Sequence, residues 1–100
     1  MPEPEKLSSL EIDIQLARLN QTTEEKWQIL DGKLHKQFIF RDFSAAMAYM
    51  QAAALQAEVM NHHPEWCNTY NRMVVDLVTH SVDGISTLDF KLAKHLDQLA

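Results

Sequence analysis

His62, His63 and His80 are the residues of this 100-residue chain whose type and spacing best suit proton transfer. Imidazole titrates near neutrality, so it can give and take protons at physiological pH. His62 and His63 stand together where an apolar helical pattern runs into Pro64, and His80 closes a strand-like run seventeen residues after His63. Pro64 disfavours helical geometry at the residue before it, so the helix should stop at about His62. The negative end of the helix dipole then faces any positive charge the pair carries. Glu58, four residues before His62, can reach the same helix face. Two adjacent histidines can simply end a helix; a third at a strand end, just before a turn, favours a site.

The same residues allow a rival chemistry. Three histidines and a carboxylate are enough ligands for zinc. Against it, the sequence has no H-x-x-x-H pair, and neighbouring side chains such as His62 and His63 normally diverge. Acid–base work is therefore preferred, with no metal expected. Cys67, the only cysteine, falls within a strand alternation where a small buried hydrophobe is its usual role.

The rest of the chain must position these groups. One hundred residues support one domain with a single core and no more than two layers. A formal charge of −5 argues against binding nucleic-acid backbone or anionic lipid directly, since both need a basic face. The lone cysteine fits a reducing compartment, and no apolar run approaches a membrane span or a secretion signal. A soluble, cytoplasmic protein is expected, with residues 1–6 a disordered lead-in.

Ser8 and Glu11 form a capping box for a first helix over about residues 9–19. Leu10, Ile14 and Ala17 make one apolar stripe on it, with Ile12, Leu16 and Leu19 beside them. Asp31-Gly32 is a hairpin turn signal between Gln28–Leu30 and a strand whose Leu34, Lys36, Phe38 and Phe40 should face the core, with Lys36 near an edge. Asp42 or Ser44 can cap a second helix rich in alanine. Its stripes, Phe43-Met47-Met50-Ala54-Ala57 and Ala45-Ala48-Ala52-Leu55-Val59, make it apolar around more than half its circumference. One face should therefore pack on another subunit.

Trp66, Asn68 and Tyr70 alternate along a third strand, and MVVDLVTH is a β-branched fourth, joined to it closely at Asn71-Arg72. Ser86 and Asp89 box the start of a last helix whose Leu92, Ala93, Leu96 and Leu99 point inward, with Ile85 and Phe90 as a hydrophobic staple. The order α-β-β-α-β-β-α defines an α+β fold, helices covering one face of a four-stranded antiparallel sheet. For Asp89, capping alone accounts for a carboxylate at that position. Trp27, Trp66 and Tyr70 read as core or pocket wall, and His35 and His95 as solvated.

Glu58, three residues, His62-His63-Pro64, five residues, Tyr70, nine residues, His80, eight residues and Asp89 form a spaced set. With ALQAE before it, HPEWCNTYN within it, Trp27 upstream and FIFRDF at a strand–helix joint, the chain from Trp27 onward resembles the pterin-4a-carbinolamine dehydratases. The resemblance implies the α-β-β-α-β-β-α fold. It also implies dehydration of 4a-hydroxytetrahydrobiopterin to quinonoid dihydropterin, recycling the pterin cofactor of aromatic amino-acid hydroxylases. It assigns catalysis to His62, His63 and His80, and pterin contacts to Glu58, Pro64, Asp89 and Trp27, with no cofactor beyond the pterin substrate. Family members often carry arginine before the aspartate, where this chain has Leu88.

Family likeness further implies a homodimer or homotetramer, with a hydroxylase or a transcription factor as a partner and, in animals, a nuclear location. An alternative within the resemblance is an interaction module, either a dimerisation cofactor or an assembly factor. Loss of the histidine set would have favoured that alternative; here the set is intact.

Overall fold

The computed structural model describes residues 4–100. Its first helix, α1 (Ser9–Leu19), starts where Ser8 Oγ accepts from the Glu11 N–H and Glu11 Oε1 accepts from the Ser8 N–H. The face it turns inward is Ile12, Leu16 and Leu19, while Leu10 and Ile14 remain exposed. Periodicity could not separate two adjacent stripes of similar hydropathy, and contact with the last helix chose the second. Ahead of α1, the expected disorder does not extend to Lys6, which bridges to Ser86, or to Leu7, whose N–H donates to Ile85 O at 2.8 Å. Residues 1–3 of that expected lead-in lie outside the described residues.

β1 (Gln28–Leu30) and β2 (Lys33–Ile39) form the hairpin that Asp31-Gly32 signalled. Both turn residues have positive φ, 52° and 74°, which the glycine adopts without a Cβ penalty. Helix α2 (Phe43–Met60) is capped by Asp42, whose side chain accepts from Ala45 N–H at 2.8 Å. Then come β3 (Glu65–Thr69), β4 (Arg72–Leu77) and α3 (Thr87–Leu99). The sheet runs β1-β2-β4-β3, antiparallel throughout, with the helices on one face.

Alternation along β2 and β4 sends Leu34, Lys36 and Phe38 opposite Leu77, Val75 and Met73, all buried. Leu92, Ala93 and Leu96 of α3 and Trp27 close the core over them. Each fully buried leucine among these contributes about 1.5–3 kcal/mol relative to exposure. Leu99, expected on the same stripe, is exposed at the chain end.

Lys36 is not near an edge: β2 is an inner strand, and its ammonium is enclosed. Nζ donates to Asp97 Oδ1 at 2.6 Å and Thr23 Oγ1 at 2.9 Å, and lies over the Phe38 ring. Desolvating that charge is tolerable only because it is paired and hydrogen-bonded. Helix α2 buries Ala46, Tyr49 and Ala53, which lie between the two stripes anticipated from spacing, together with Ala57 of the first stripe. Three alanines let the helix approach closely, and the Tyr49 hydroxyl is accommodated by donating to Leu96 O at 2.7 Å.

Tyr70 leaves the third strand for the turn, with φ 52°, and is exposed; the tight connection is thus one residue earlier than Asn71-Arg72. Cys67 is also exposed, because its side of β3 belongs to the sheet face that no helix covers. On that bare face His35 is not merely solvated: its Nδ1 meets Asp76 Oδ1 at 2.8 Å.

Candidate active site

Helix α2 ends at Met60, two residues before the point expected. Asn61 takes a left-handed conformation (φ 50°), and the Asn61 and His62 N–H groups close the last turn onto Glu58 and Ala57 carbonyls. Asparagine tolerates that conformation better than most residues. The reversal throws His62 inward and leaves His63 outside, so the two neighbours diverge as adjacent side chains should.

His62 is 8% exposed, and its Nε2 is 2.6 Å from Asp89 Oδ1. A carboxylate only accepts, so Nε2 carries the proton and Nδ1 is left as the basic nitrogen of the neutral ring. Among the described residues Nδ1 has no hydrogen bond and no buried side-chain nitrogen or oxygen is left unpaired, so Nδ1 reaches solvent. Asp89 is fully buried. Its Oδ2 accepts from Ser86 N–H at 2.9 Å and Thr79 Oγ1 at 2.8 Å. Since the Thr79 proton goes to Asp89, the Ser86 hydroxyl must donate to Thr79 Oγ1, 2.7 Å away. Asp89 therefore closes the capping box of α3 and orients His62 with the same carboxylate.

The other two histidines are exposed, each with a carboxylate of its own. His63 Nε2 lies 2.6 Å from Glu58 Oε1, and His80 Nε2 lies 3.2 Å from Glu65 Oε2. Glu65 also accepts from Lys33 Nζ at 2.5 Å, which holds its carboxyl below the ordinary value. His80 opens a short 3-10 turn, His80–Val82, three residues beyond the end of β4. A pair of bonds between Thr79 and Gly84 ties off that loop.

An open cleft of about 1080 Å³ brings His62, His63 and His80 to one surface. Its walls come from the end of α2, the loop after β4, the first turns of α3 and the segment leading into α1. The structure does not bring every expected residue there. Trp27 is 2% exposed and packs edge-on against Phe38, with its Nε1 donating to Asp97 Oδ2 at 3.0 Å. That makes it a core residue, which no ligand in the cleft can touch. Asp89 has no surface to offer a ligand and meets the cleft only through its bond to His62. Glu58 reaches the site through His63, and Pro64 lies four residues past the end of α2, directly before β3.

Spacing had not pointed to Thr79 or Glu65. A signal for the first existed: Met73, Val75, Leu77 and Thr79 continue one inward alternation, ending in a hydroxyl beside His80. Glu65 follows Pro64 directly and is recognisable only once the sheet brings it to His80. Among the described residues, no group of three or more His, Cys, Asp or Glu is placed to hold a metal ion. No helix among them is long and apolar enough to cross a membrane.

The α+β fold thus carries a buried carboxylate–imidazole pair on a cleft lined by two further histidines. A family model described as "Pterin 4 alpha carbinolamine dehydratase" matches residues 5–99, and the chain belongs to that family of hydro-lyases. Among its relatives, a protein of Solibacter usitatus with the provisional name pterin-4-alpha-carbinolamine dehydratase is 54% identical over 74 residues, 74% of this chain and 78% of that one. A likewise named protein of Sinorhizobium medicae is 44% identical over 97% of this chain and 90% of its own length. A crystal structure from Brucella melitensis, described as a transcriptional coactivator/pterin dehydratase, superposes with a TM-score of 0.87 at 41% identity. That similarity covers 96% of this chain and 99% of the other.

Proposed function

We propose that this chain dehydrates a 4a-hydroxytetrahydropterin to the quinonoid dihydropterin. The observation that carries the reading is the Asp89–His62 pair, buried on one side and open to the cleft on the other. In the reaction the N5–H proton is removed and the N5 electron pair forms a C4a=N5 bond. The C4a–O bond breaks, and the hydroxyl takes a proton and leaves as water. The step balances with water as its only other product, so it calls for no redox cofactor.

His62 Nδ1 is the base for N5–H: the Asp89 carboxylate fixes the tautomer and stabilises the imidazolium that forms. His80, held by Glu65, delivers the proton to the departing hydroxyl. His63, steadied by Glu58, contacts the ring rather than the moving protons. The product then returns to the cofactor pool of aromatic amino-acid hydroxylases.

The direct test generates 4a-hydroxytetrahydropterin in situ with a phenylalanine hydroxylase and follows its dehydration. Acceleration over the spontaneous rate is expected, and its absence sinks the activity. His62→Ala and His80→Ala should each cost about 10²–10⁴-fold in rate. Full activity in the double variant rules out the assignment of roles.

A second reading concerns assembly. Leu55 and Val59 of α2 are 71% and 81% exposed, large apolar side chains one turn apart, which supports an interface on this face. We propose a second copy of this chain as the occupant. The coactivator description of the Brucella protein supports a further role in binding a protein partner.

A further inference from the structure

The cleft extends past the histidines to α1 and α3, and side chains of opposite charge line it there. Glu11, in the first turn of α1, and Lys91, in the second turn of α3, both line it. Glu11 is not a free surface carboxylate. Its Oε1 is tied to the Ser8 N–H at 2.9 Å, while Oε2 makes no hydrogen bond among the described residues. The backbone bond from Ser8 holds this carboxyl below the ordinary value, so it is an acceptor at neutral pH. Lys91 enters no ion pair among the described residues. It follows Leu88 by one helical turn on the same wall.

The wall is also anchored to the catalytic groups. The Leu7 N–H bond to Ile85 O and the Lys6–Ser86 bridge fix the start of α1 against the residue whose N–H binds Asp89. Lys6 methylenes cover Gly84 so closely that a Cβ there would stand 2.6 Å from Lys6 Cε. Glu11 and His62 are thus referenced to one loop.

Taking the dehydratase reading as its basis, we propose that Glu11 and Lys91 hold the pyrimidinone edge of the pterin. That edge presents N–H donors at the C2 amino group and N3, beside an acceptor at O4. A carboxylate with one free oxygen and an ammonium form the complementary pair. Gripping that edge on the α1–α3 wall turns N5 and C4a toward the histidines. Glu11 and Lys91 are positioning and specificity residues: neither exchanges a proton with the reacting atoms.

The test uses 7,8-dihydropterin and 7,8-dihydrolumazine, which carries oxygen where the pterin has its C2 amino group. Neither has a C4a hydroxyl, so neither turns over. Glu11→Gln keeps the capping box, which accepts glutamine at this position, and Lys91→Met keeps helix propensity. Each should raise the Kd for dihydropterin about tenfold to hundredfold, the loss of one charge-assisted hydrogen bond. In Glu11→Gln the preference for dihydropterin over dihydrolumazine should collapse, and in the dehydration assay KM should rise with kcat little changed. Unchanged Kd for dihydropterin in both variants, or a fall in kcat at constant KM, overturns the proposal. A protein that binds dihydropterin through these residues yet fails to accelerate dehydration leaves the contact standing and removes only the activity.

Discussion

Thr79 Oγ1 donates to Asp89 Oδ2 across 2.8 Å, joining the end of the β4 alternation to the first turn of α3 behind the His62 imidazole. The link is wholly buried, so its loss leaves acceptors unpaired rather than hydrated. Thr79→Val keeps the shape while removing the donor to Asp89 and the acceptor for Ser86. The expected cost is about 1–3 kcal/mol in stability, read as a fall in Tm. Asp89→Asn should go further, because an amide cannot accept from all three donors at once. His62 then loses its fixed tautomer, and the rate should fall by about 10²–10⁴-fold. Nitrogen-15 shifts of the His62 ring check the cause: an unaltered tautomer in Asp89→Asn contradicts the orienting role.

The Lys36–Asp97 pair makes an opposite prediction about charge in the core. Asp97→Leu strands a buried ammonium and should cost about 3–5 kcal/mol. Adding Lys36→Met should recover part of that: no charge remains to be paired, while the Trp27 N–H still lacks its Asp97 acceptor. Denaturant midpoints of the two variants decide it; a double variant no better than the single one would refute the account.

Tyr49 sets a limit at high pH. Burial, and secondarily the Asp97 charge, push its phenol above the ordinary value of 10.0. The folded value is thus raised above the unfolded one. The stabilisation this brings is fully present below about pH 10 and fades as pH rises through the folded value. Tyr49→Phe should lower Tm at neutral pH through the lost bond to Leu96, yet flatten the decline in Tm measured from pH 9 to 11. An equally steep decline in the variant would contradict the assignment.

For assembly, Leu55→Glu places a charge on the bare stripe of α2 without touching the core. It should shift the particle mass measured by light scattering toward that of one chain, with helical content unchanged. A wild-type protein that already scatters as a monomer at micromolar concentration removes the interface.

Much of the scaffold was legible in the chain because its signals are local. Ser8-x-x-Glu11, Asp31-Gly32 and Ser86-x-x-Asp89 act within a few residues, and each produces the start or turn expected of it. What the sequence concealed depends on partners far along the chain. Lys36 reads as an edge residue until Asp97 is brought beneath it. Tyr49 escapes notice among alanines until Leu96 accepts its proton. In the site, the spacing of the histidines was readable, whereas the ranking among them was not. His62 and His63 are chemically identical neighbours, and only the left-handed turn at Asn61 sends one to a buried carboxylate and the other to the rim.

The strand order β1-β2-β4-β3 has a consequence for how the protein comes into being. Each hairpin closes on itself with a short turn, but the seam between β2 and β4 pairs Phe38 with Met73 across the whole of α2. Closing that span costs chain entropy before any contact rewards it, so the seam should form late in folding. Thr79 and His80 hang from the far end of β4, and Asp89 arrives only with α3. Neither hairpin alone can hold the dyad. In refolding followed by pulsed hydrogen exchange, protection of the Lys36 and Val75 amides should therefore coincide with the ability to bind dihydropterin, and lag behind the closure of either turn.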